Sequence, residues 1–201
     1  MRHIFYLMGK SASGKDTIYE ELRLRFPELR PLVSYTTRPI RAKETDGVEY
    51  HFTDEKNLQA LQKAGRVIEL RVYQTAHGPW AYFTADDEHI DLNRYDYLGI
   101  GTLESFRKLS EYYGKNVVLP IYIEVEDGLR LERALKRERK QSHPGYEEMC
   151  RRFLADQADF SEEKLTQAGI GKRFRNDDDR SLCMEEVAGY ISAILERRPY
   201  A

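Results

Sequence analysis

One segment near the amino terminus constrains the fold more than any other. Residues 3–8 form a short apolar run that is typical of a buried strand, and the glycine-bounded polar segment GKSASGKDT follows at residues 9–17. Beyond it, apolar residues recur at a helical step of four, at Ile18, Leu22 and Phe26. A strand, a glycine-rich loop and a helix in this order predict the first unit of a parallel α/β sheet.

The glycine-bounded segment matches the pattern of a phosphate-binding loop as far as Gly14 and Lys15. In such a loop, backbone N–H groups and the helix amino terminus surround a phosphate, and the lysine reaches the β- and γ-phosphates. The sequence therefore predicts a nucleoside triphosphate site. The loop residues expected to bind it are Gly9, Ser11, Ala12, Ser13, Gly14, Lys15, Asp16 and Thr17.

The position after the lysine departs from that pattern. A Ser or Thr hydroxyl normally binds Mg²⁺ there, whereas this chain has Asp16, followed by Thr17. A carboxylate is tolerated beside phosphates when it faces Mg²⁺ or its water ligands. We therefore expect Asp16 and Thr17 to lie at a Mg²⁺ site.

The rest of the chain predicts two kinds of structure. Strands alternate with helices at both ends, which favours a parallel sheet with helical crossovers. Between residues 34 and 83, several short β-rich segments follow one another instead, and the aromatic stretch after Tyr73 contains a turn signal at residues 77–79. The sequence thus predicts a small β-rich lobe inserted into an α/β core.

Composition narrows the classes of partner. The 201 residues include 32 Lys and Arg against 34 Asp and Glu, a formal net charge of -2, and a broad nucleic-acid surface usually needs a basic excess. No apolar run approaches the ~20 residues of a membrane span, and no secretory signal is recognisable. Cys150 and Cys183 form no CxxC motif, so we expect a reduced, cytoplasmic protein that binds neither membranes nor nucleic acid.

A second group of residues suits a phosphate monoester. Arg38 and Arg41 lie three positions apart beside hydroxyl residues, and Tyr50 follows within the segment DGVEYHF. Guanidinium groups bind phosphate oxygens in a bidentate manner. Taken alone, an Arg-x-x-Arg pair is a common surface feature.

Together with the phosphate loop, this order of motifs resembles the guanylate kinase family over nearly the whole chain, as a divergent member. The resemblance implies a P-loop nucleoside monophosphate kinase: an α/β, three-layer fold with a parallel sheet core, an inserted β-rich nucleotide-monophosphate-binding lobe and a helical lid. It implies one domain over residues 1–201, divided into a core (about 1–33, 84–125 and 160–201), the lobe (about 34–83) and the lid (about 126–159).

The resemblance also implies roles for individual residues. Glu69 is expected to bind guanine, because the adjacent N1–H and N2–H groups suit a carboxylate, and Asn176 is expected beside the adenine of ATP. The residues expected to bind GMP are Ser34, Arg38, Arg41, Tyr50, Glu69, Tyr82 and Thr84. The residues expected to act on the transferring phosphoryl group are Lys15, Arg38, Arg41, Arg137 and Arg152.

One departure from the family concerns the central strand. The family usually has an Asp-x-Asp motif after it, whereas this chain has Gly99 and Gly101.

The leading hypothesis is ATP-dependent phosphorylation of GMP to GDP with Mg²⁺, by a monomer or homodimer with ATP and GMP as partners. A related kinase for ribose 1,5-bisphosphate or another nucleoside monophosphate is an alternative, and a non-catalytic guanylate-kinase-like binding module is a third hypothesis.

Overall fold

The computed structural model describes residues 1–75 and 78–197. The strands are β1 (Ile4–Met8), β2 (Arg30–Pro31), β3 (Tyr35–Thr36), β4 (His51–Phe52), β5 (Val67–Thr75), β6 (Gly78–Ala85), β7 (Tyr97–Gly101), β8 (Val118–Glu124) and β9 (Phe174–Arg175). The helices are α1 (Lys15–Arg25), α2 (Glu55–Lys63), α3 (Leu103–Tyr113), α4 (Asp127–Glu138), α5 (Tyr146–Asp159), α6 (Glu162–Gln167) and α7 (Arg180–Glu196).

The first sheet is parallel and has the strand order β2-β7-β1-β8-β9. Every residue of the central strand β1 is buried, because alternate side chains of a strand point to opposite faces and both faces of this sheet are covered. Phe5 and Leu7 pack with residues of α1 and α7, whereas Ile4, Tyr6 and Met8 pack with residues of α3. The expected three-layer α/β fold is confirmed.

The second sheet has the order β4-β3-β6-β5 and is mixed, since β3 pairs with β4 in parallel and with β6 antiparallel. Its strands lie between residues 35 and 85. The aromatic stretch after Tyr73 is part of a long β5–β6 hairpin in which Thr75 pairs with Gly78, consistent with the preference of aromatic residues for strands. The first residue of the turn expected there, His77, lies outside the described residues.

Two features place a site at one edge of the parallel sheet. The carboxyl ends of β1 and β7 lie side by side, with Met8 opposite Gly101, and ligands of parallel α/β sheets bind at that edge. Helices α4 and α5 follow β8 and pack against each other.

Within the described residues, the structure contains no helix with the length and apolar character that crossing a bilayer requires.

Candidate active site

The phosphate loop joins β1 to α1 and has the backbone of an anion site. Gly14 precedes the helix with a φ of 84°, and Ala12 also has a positive φ, of 62°. The Ser13 N–H donates to the Lys10 carbonyl at 3.2 Å. Successive right- and left-handed residues turn backbone N–H groups inward, which makes a concave anion-binding surface.

Close packing beneath the loop requires its two glycines. A Cβ at Gly9 would lie 2.6 Å from the Ile123 carbonyl oxygen, and one at Gly14 would lie 2.6 Å from Asn176 Nδ2. The Asn176 amide donates to the Ser13 carbonyl at 2.8 Å, and the residue is only 3% exposed. Asn176, expected beside the adenine, thus contacts the loop itself in this structure.

Lys15, Asp16 and Thr17 lie together in the first turn of α1. Lys15 Nζ is 3.4 Å from Asp16 Oδ2, and the Asp16 side chain is 84% exposed. The neighbouring Thr17 is also exposed. Mg²⁺ in nucleotide sites is commonly held by one or two carboxylates together with substrate phosphates and water. A single exposed carboxylate beside the loop lysine fits that requirement, although no cluster of three or more candidate metal ligands occurs in the described ranges.

A buried arginine beside the loop was not predicted from the sequence. Arg130 of α4 is 1% exposed; it donates to the Ser11 carbonyl at 3.0 Å and to Asp127 Oδ1 at 2.6 Å. Asp156 of α5 accepts from the Ser11 N–H at 2.7 Å and lies 3.5 Å from the same guanidinium. Both the backbone N–H and the carbonyl of Ser11 are therefore hydrogen-bonded to side chains of α4 and α5.

A second contact ties the same helices to the loop. Lys10 Nζ donates to Gln157 Oε1 at 2.7 Å and lies 3.4 Å from Asp127. Gln157 in turn donates to Asp127. The sequence offers one signal for this network, the i,i+3 spacing of Asp127 and Arg130, but that spacing does not identify the loop as the partner.

The second sheet and its neighbours bring together three of the predicted acceptor residues and two that were not predicted. Ser34 Oγ and Thr84 Oγ1 are 3.3 Å apart, and Thr84 donates to Glu69 Oε1 at 3.2 Å. Glu69 Oε2 accepts from Ser105 at 3.3 Å and from Arg71 Nε at 3.2 Å. The structure thus joins Ser34, Thr84 and Glu69 in one hydrogen-bonded chain.

Arg38 lies at the other end of this face and is held by an unpredicted partner. Its two terminal nitrogens donate to the two Glu44 carboxylate oxygens at 2.7 and 2.5 Å, and its guanidinium carbon lies 5.1 Å from the centre of the Tyr50 ring. The hydrogen bonds from Arg38 lower the pKa of Glu44 to about 2. Tyr82 packs edge-on against Tyr50 at 5.5 Å, so Arg38, Tyr50 and Tyr82 are also brought together.

Comparison with known proteins bears on this combination of fold and site. Residues 1–92 match the guanylate kinase family model. The guanylate kinase of Frankia casuarinae is 51% identical over 63 residues, 31% of this chain and 34% of that protein. That of Thermobifida fusca is 44% identical over 68 residues, 34% of this chain and 35% of that protein. The crystal structure of guanylate kinase from Anaplasma phagocytophilum superposes with a TM-score of 0.59 at 18% identity, covering 97% of this chain and 85% of that chain.

The matched residues 1–92 make up just under half of this chain. Its sequence similarity lies in the first half, and the chain spans about a third of the length of the curated guanylate kinases named above. Beyond that part, the evidence is the fold, which is shared over nearly the whole chain.

Gly99 and Gly101, where the resemblance predicts paired acids, are closely packed against Tyr6. A Cβ at Gly101 would lie 2.1 Å from Tyr6 Oη, and one at Gly99 would lie 2.7 Å from Tyr6 Cδ2. Burial and then the nearby Glu69 charge raise the pKa of Tyr6. The Tyr6 side chain therefore occupies the space beside Gly99 and Gly101, and no acid fits at either position without moving it.

Three predicted arginines lie apart from the phosphate loop. Arg41 is exposed, and its backbone N–H donates to Glu44 at 2.9 Å. Arg137 of α4 and Arg152 of α5 have exposed side chains near Glu138 and Glu148 respectively. Among the described residues, none of the three donates a hydrogen bond to the loop.

Proposed function

We propose that this protein belongs to the guanylate kinase family and is an ATP-dependent guanylate kinase that converts ATP and GMP to ADP and GDP. The observation that carries the proposal is one molecule with both a phosphate loop preceding a helix and a separate sheet face on which Ser34, Thr84 and Glu69 form a hydrogen-bonded chain. The reaction breaks the bond between the γ-phosphorus and its bridging oxygen. It forms a bond from that phosphorus to an α-phosphate oxygen of GMP, which is already an anion and needs no general base.

The residues of this chain contribute position and charge. Phosphoryl transfer is catalysed mainly by alignment and by stabilising charge on the transferring group. Lys15 would hold the β- and γ-phosphates, and Arg38 would hold the acceptor phosphate while Glu44 keeps its fork fixed. Arg41, Arg137 and Arg152 are exposed, and we propose that closure around two bound nucleotides brings them to the phosphates.

Mg²⁺ belongs to the proposal as the partner of ATP. Asp16, with Thr17 beside it, would hold the ion or its water ligands. Bound there, Mg²⁺ would neutralise charge on the β- and γ-phosphates. The exposed Asp16 carboxylate next to Lys15 supports this assignment.

The proposed setting of the enzyme is the cytoplasm, as a monomer or homodimer with ATP and GMP as its partners. Both cysteines are free thiols, Cys150 exposed and Cys183 buried. Free thiols are typical of a reducing compartment. A purine nucleotide kinase would find both substrates there.

A coupled assay of ADP release tests the proposal. The acceptor panel contains GMP, IMP, AMP and ribose 1,5-bisphosphate, and Lys15→Met serves as the inactive control. We expect release to depend on GMP and to be lost in the control. Activity on the sugar bisphosphate with none on GMP would overturn the proposal, and absence of turnover on every acceptor would favour a binding module.

A further inference from the structure

A cation lies directly beside the carboxylate of the acceptor face. Glu69 and Arg71 are two residues apart on β5, so their side chains point to the same face of the sheet. Arg71 Nε lies 3.2 Å from Glu69 Oε2, and the Arg71 side chain is 23% exposed against 4% for Glu69. The carboxylate is thus enclosed, whereas its arginine partner extends toward solvent.

Arg71 faces an open cleft next to the phosphate loop. The cleft is lined by Arg71 and Tyr73 of β5 and by Thr102, Leu103 and Arg107 at the start of α3. Thr102 directly follows Gly101, which pairs with the last residue of β1 before the loop. Within the described residues, the Arg71 hydrogen bond uses Nε, so both terminal nitrogens remain as donors toward the cleft.

Arg71 and Glu69 present the nitrogen donors of a guanidinium beside the oxygen acceptors of a carboxylate. Guanine carries a matching edge, with the O6 acceptor beside the N1–H and N2–H donors. Adenine has a donor at N6 and an acceptor at N1, which would oppose the same order. Arginine is the commonest specific partner of guanine O6 and N7 in nucleic-acid recognition, for the same geometric reason.

Glu104, Asp159 and Lys164 also line the cleft, but the described hydrogen-bond partners of Glu69 other than Arg71 are uncharged. Tyr6 occupies the space beside Gly101, and Ser105 and Thr84 contribute only hydroxyl groups to Glu69. Arg71 is therefore the charged donor that remains next to the Glu69 carboxylate and open to a ligand, among the residues the structure describes around it.

We propose that Arg71 is a specificity-determining residue of the acceptor site, where its terminal nitrogens donate to O6 of a 6-oxopurine while Glu69 accepts from N1–H and N2–H. The inference rests on the proposed function, because it assigns a purine monophosphate to this face. It adds a determinant that recognises the 6-oxo group separately from the 2-amino group.

The two residues then have separable effects on a panel of bases. IMP retains O6 and N1–H but lacks the 2-amino group, so loss of Arg71 should weaken GMP and IMP by the same factor. A hydrogen bond from a charged group contributes about 1.5–3 kcal/mol, or roughly 10- to 100-fold in affinity. AMP binding should change little, because AMP offers no acceptor at that position.

Titration calorimetry with GMP, IMP and AMP tests this on the full chain. The variants are Arg71→Ala and Arg71→Met, the second of which keeps an aliphatic stem if packing of the stem is needed for folding. Arg94→Ala is the matched control, since Arg94 is exposed, lies outside the lining of the cleft, and its loss removes the same charge. Thermal unfolding of each variant verifies that it is folded.

The outcomes separate the inference from the function on which it rests. We expect roughly 10- to 100-fold weaker GMP and IMP binding in both Arg71 variants and a small change in Arg94→Ala. If the wild type prefers GMP and the Arg71 variants keep the same ratio of GMP to AMP affinity, the inference is wrong and the proposed function stands. An equal loss for all three nucleotides, or an equal loss in Arg94→Ala, also overturns it. A wild type that binds no purine monophosphate overturns both.

Discussion

The contact between Tyr6 and Gly101 gives a quantitative test of why a side chain is not accommodated at position 101. A Cβ at Gly101 would lie 2.1 Å from Tyr6 Oη and 3.0 Å from Cζ. Tyr6 is only 4% exposed, so its ring cannot move into solvent to make room. Forcing extra atoms into a packed core costs about 1–3 kcal/mol, and we expect Gly101→Ala to fall at the upper end of that range.

Removing the hydroxyl should relieve most of that cost. In a Tyr6→Phe background the nearest ring atom is Cζ, and a gap of 3.0 Å needs a shift of only a few tenths of an ångström. We expect Gly101→Ala to cost less than about 1 kcal/mol there, a coupling of about 1–2 kcal/mol between the two sites.

Gly99→Ala is the matched control. Its Cβ would meet Tyr6 Cδ2 at 2.7 Å and Leu32 Cδ2 at 3.1 Å, atoms that Tyr6→Phe leaves in place. Urea unfolding of the single and double variants, followed by circular dichroism, gives each free energy of unfolding. Equal costs of Gly101→Ala in both backgrounds, within about 0.5 kcal/mol, or equal relief of Gly99→Ala, would refute the steric account.

Three further predictions follow from the site. Arg130→Met should lower the free energy of unfolding by about 3–5 kcal/mol, because two carboxylates lose their buried partner, and should weaken ATP binding. Glu44→Gln should raise the KM for GMP about tenfold, because the guanidinium of Arg38 is no longer held in place. The pKa of Glu44 is about 2 in the fold against an ordinary 4.5. The stability difference between the variant and the wild type should therefore persist above pH 4.5 and disappear as the pH falls toward 2. At about pH 8, iodoacetamide should label Cys150 but not Cys183, since burial raises the pKa of the Cys183 thiol to about 11.

The first two predictions each have a control variant on the same element or in the same loop. Arg139→Met alters an exposed arginine at the end of α4 and should change stability by less than about 0.5 kcal/mol; a similar loss in both variants would contradict a special role for Arg130. Glu49→Gln alters an exposed carboxylate and should leave the KM for GMP unchanged. Fast labelling of both thiols in the folded protein would contradict the described packing of α7.

The sequence predicted the fold from local signals. Ile18 and Leu22, two residues of the predicted helical step, are buried on α1, and the strand, loop and helix at the amino terminus appear as expected. Periodicity succeeds in such segments because burial of one face decides their structure. The β5–β6 hairpin was predicted only in part, since Gly78 and Pro79 of the predicted turn belong to β6.

Sequence motifs name candidate site residues, whereas residues brought in only by tertiary contact leave no such signal in the sequence. Ser34, Thr84 and Glu69 were expected together and are joined by hydrogen bonds. Arg130 looks like one more charge on a basic helix, and its burial against Ser11 depends on how α4 packs on the loop. Tyr6 looks like an ordinary apolar strand residue, and only the register of β1 with β7 places it against Gly101.

The central claim is phosphoryl transfer from ATP to GMP, and phosphorus NMR of the product mixture tests it most directly. Wild-type protein is incubated with ATP, Mg²⁺ and GMP, with Lys15→Met in parallel. We predict that the γ-phosphate signal of ATP falls while the β-phosphate signals of ADP and GDP appear in equal amounts, and that the variant leaves the ATP unchanged. An unchanged spectrum with wild type, or ADP formed together with free phosphate and no GDP, would contradict the account.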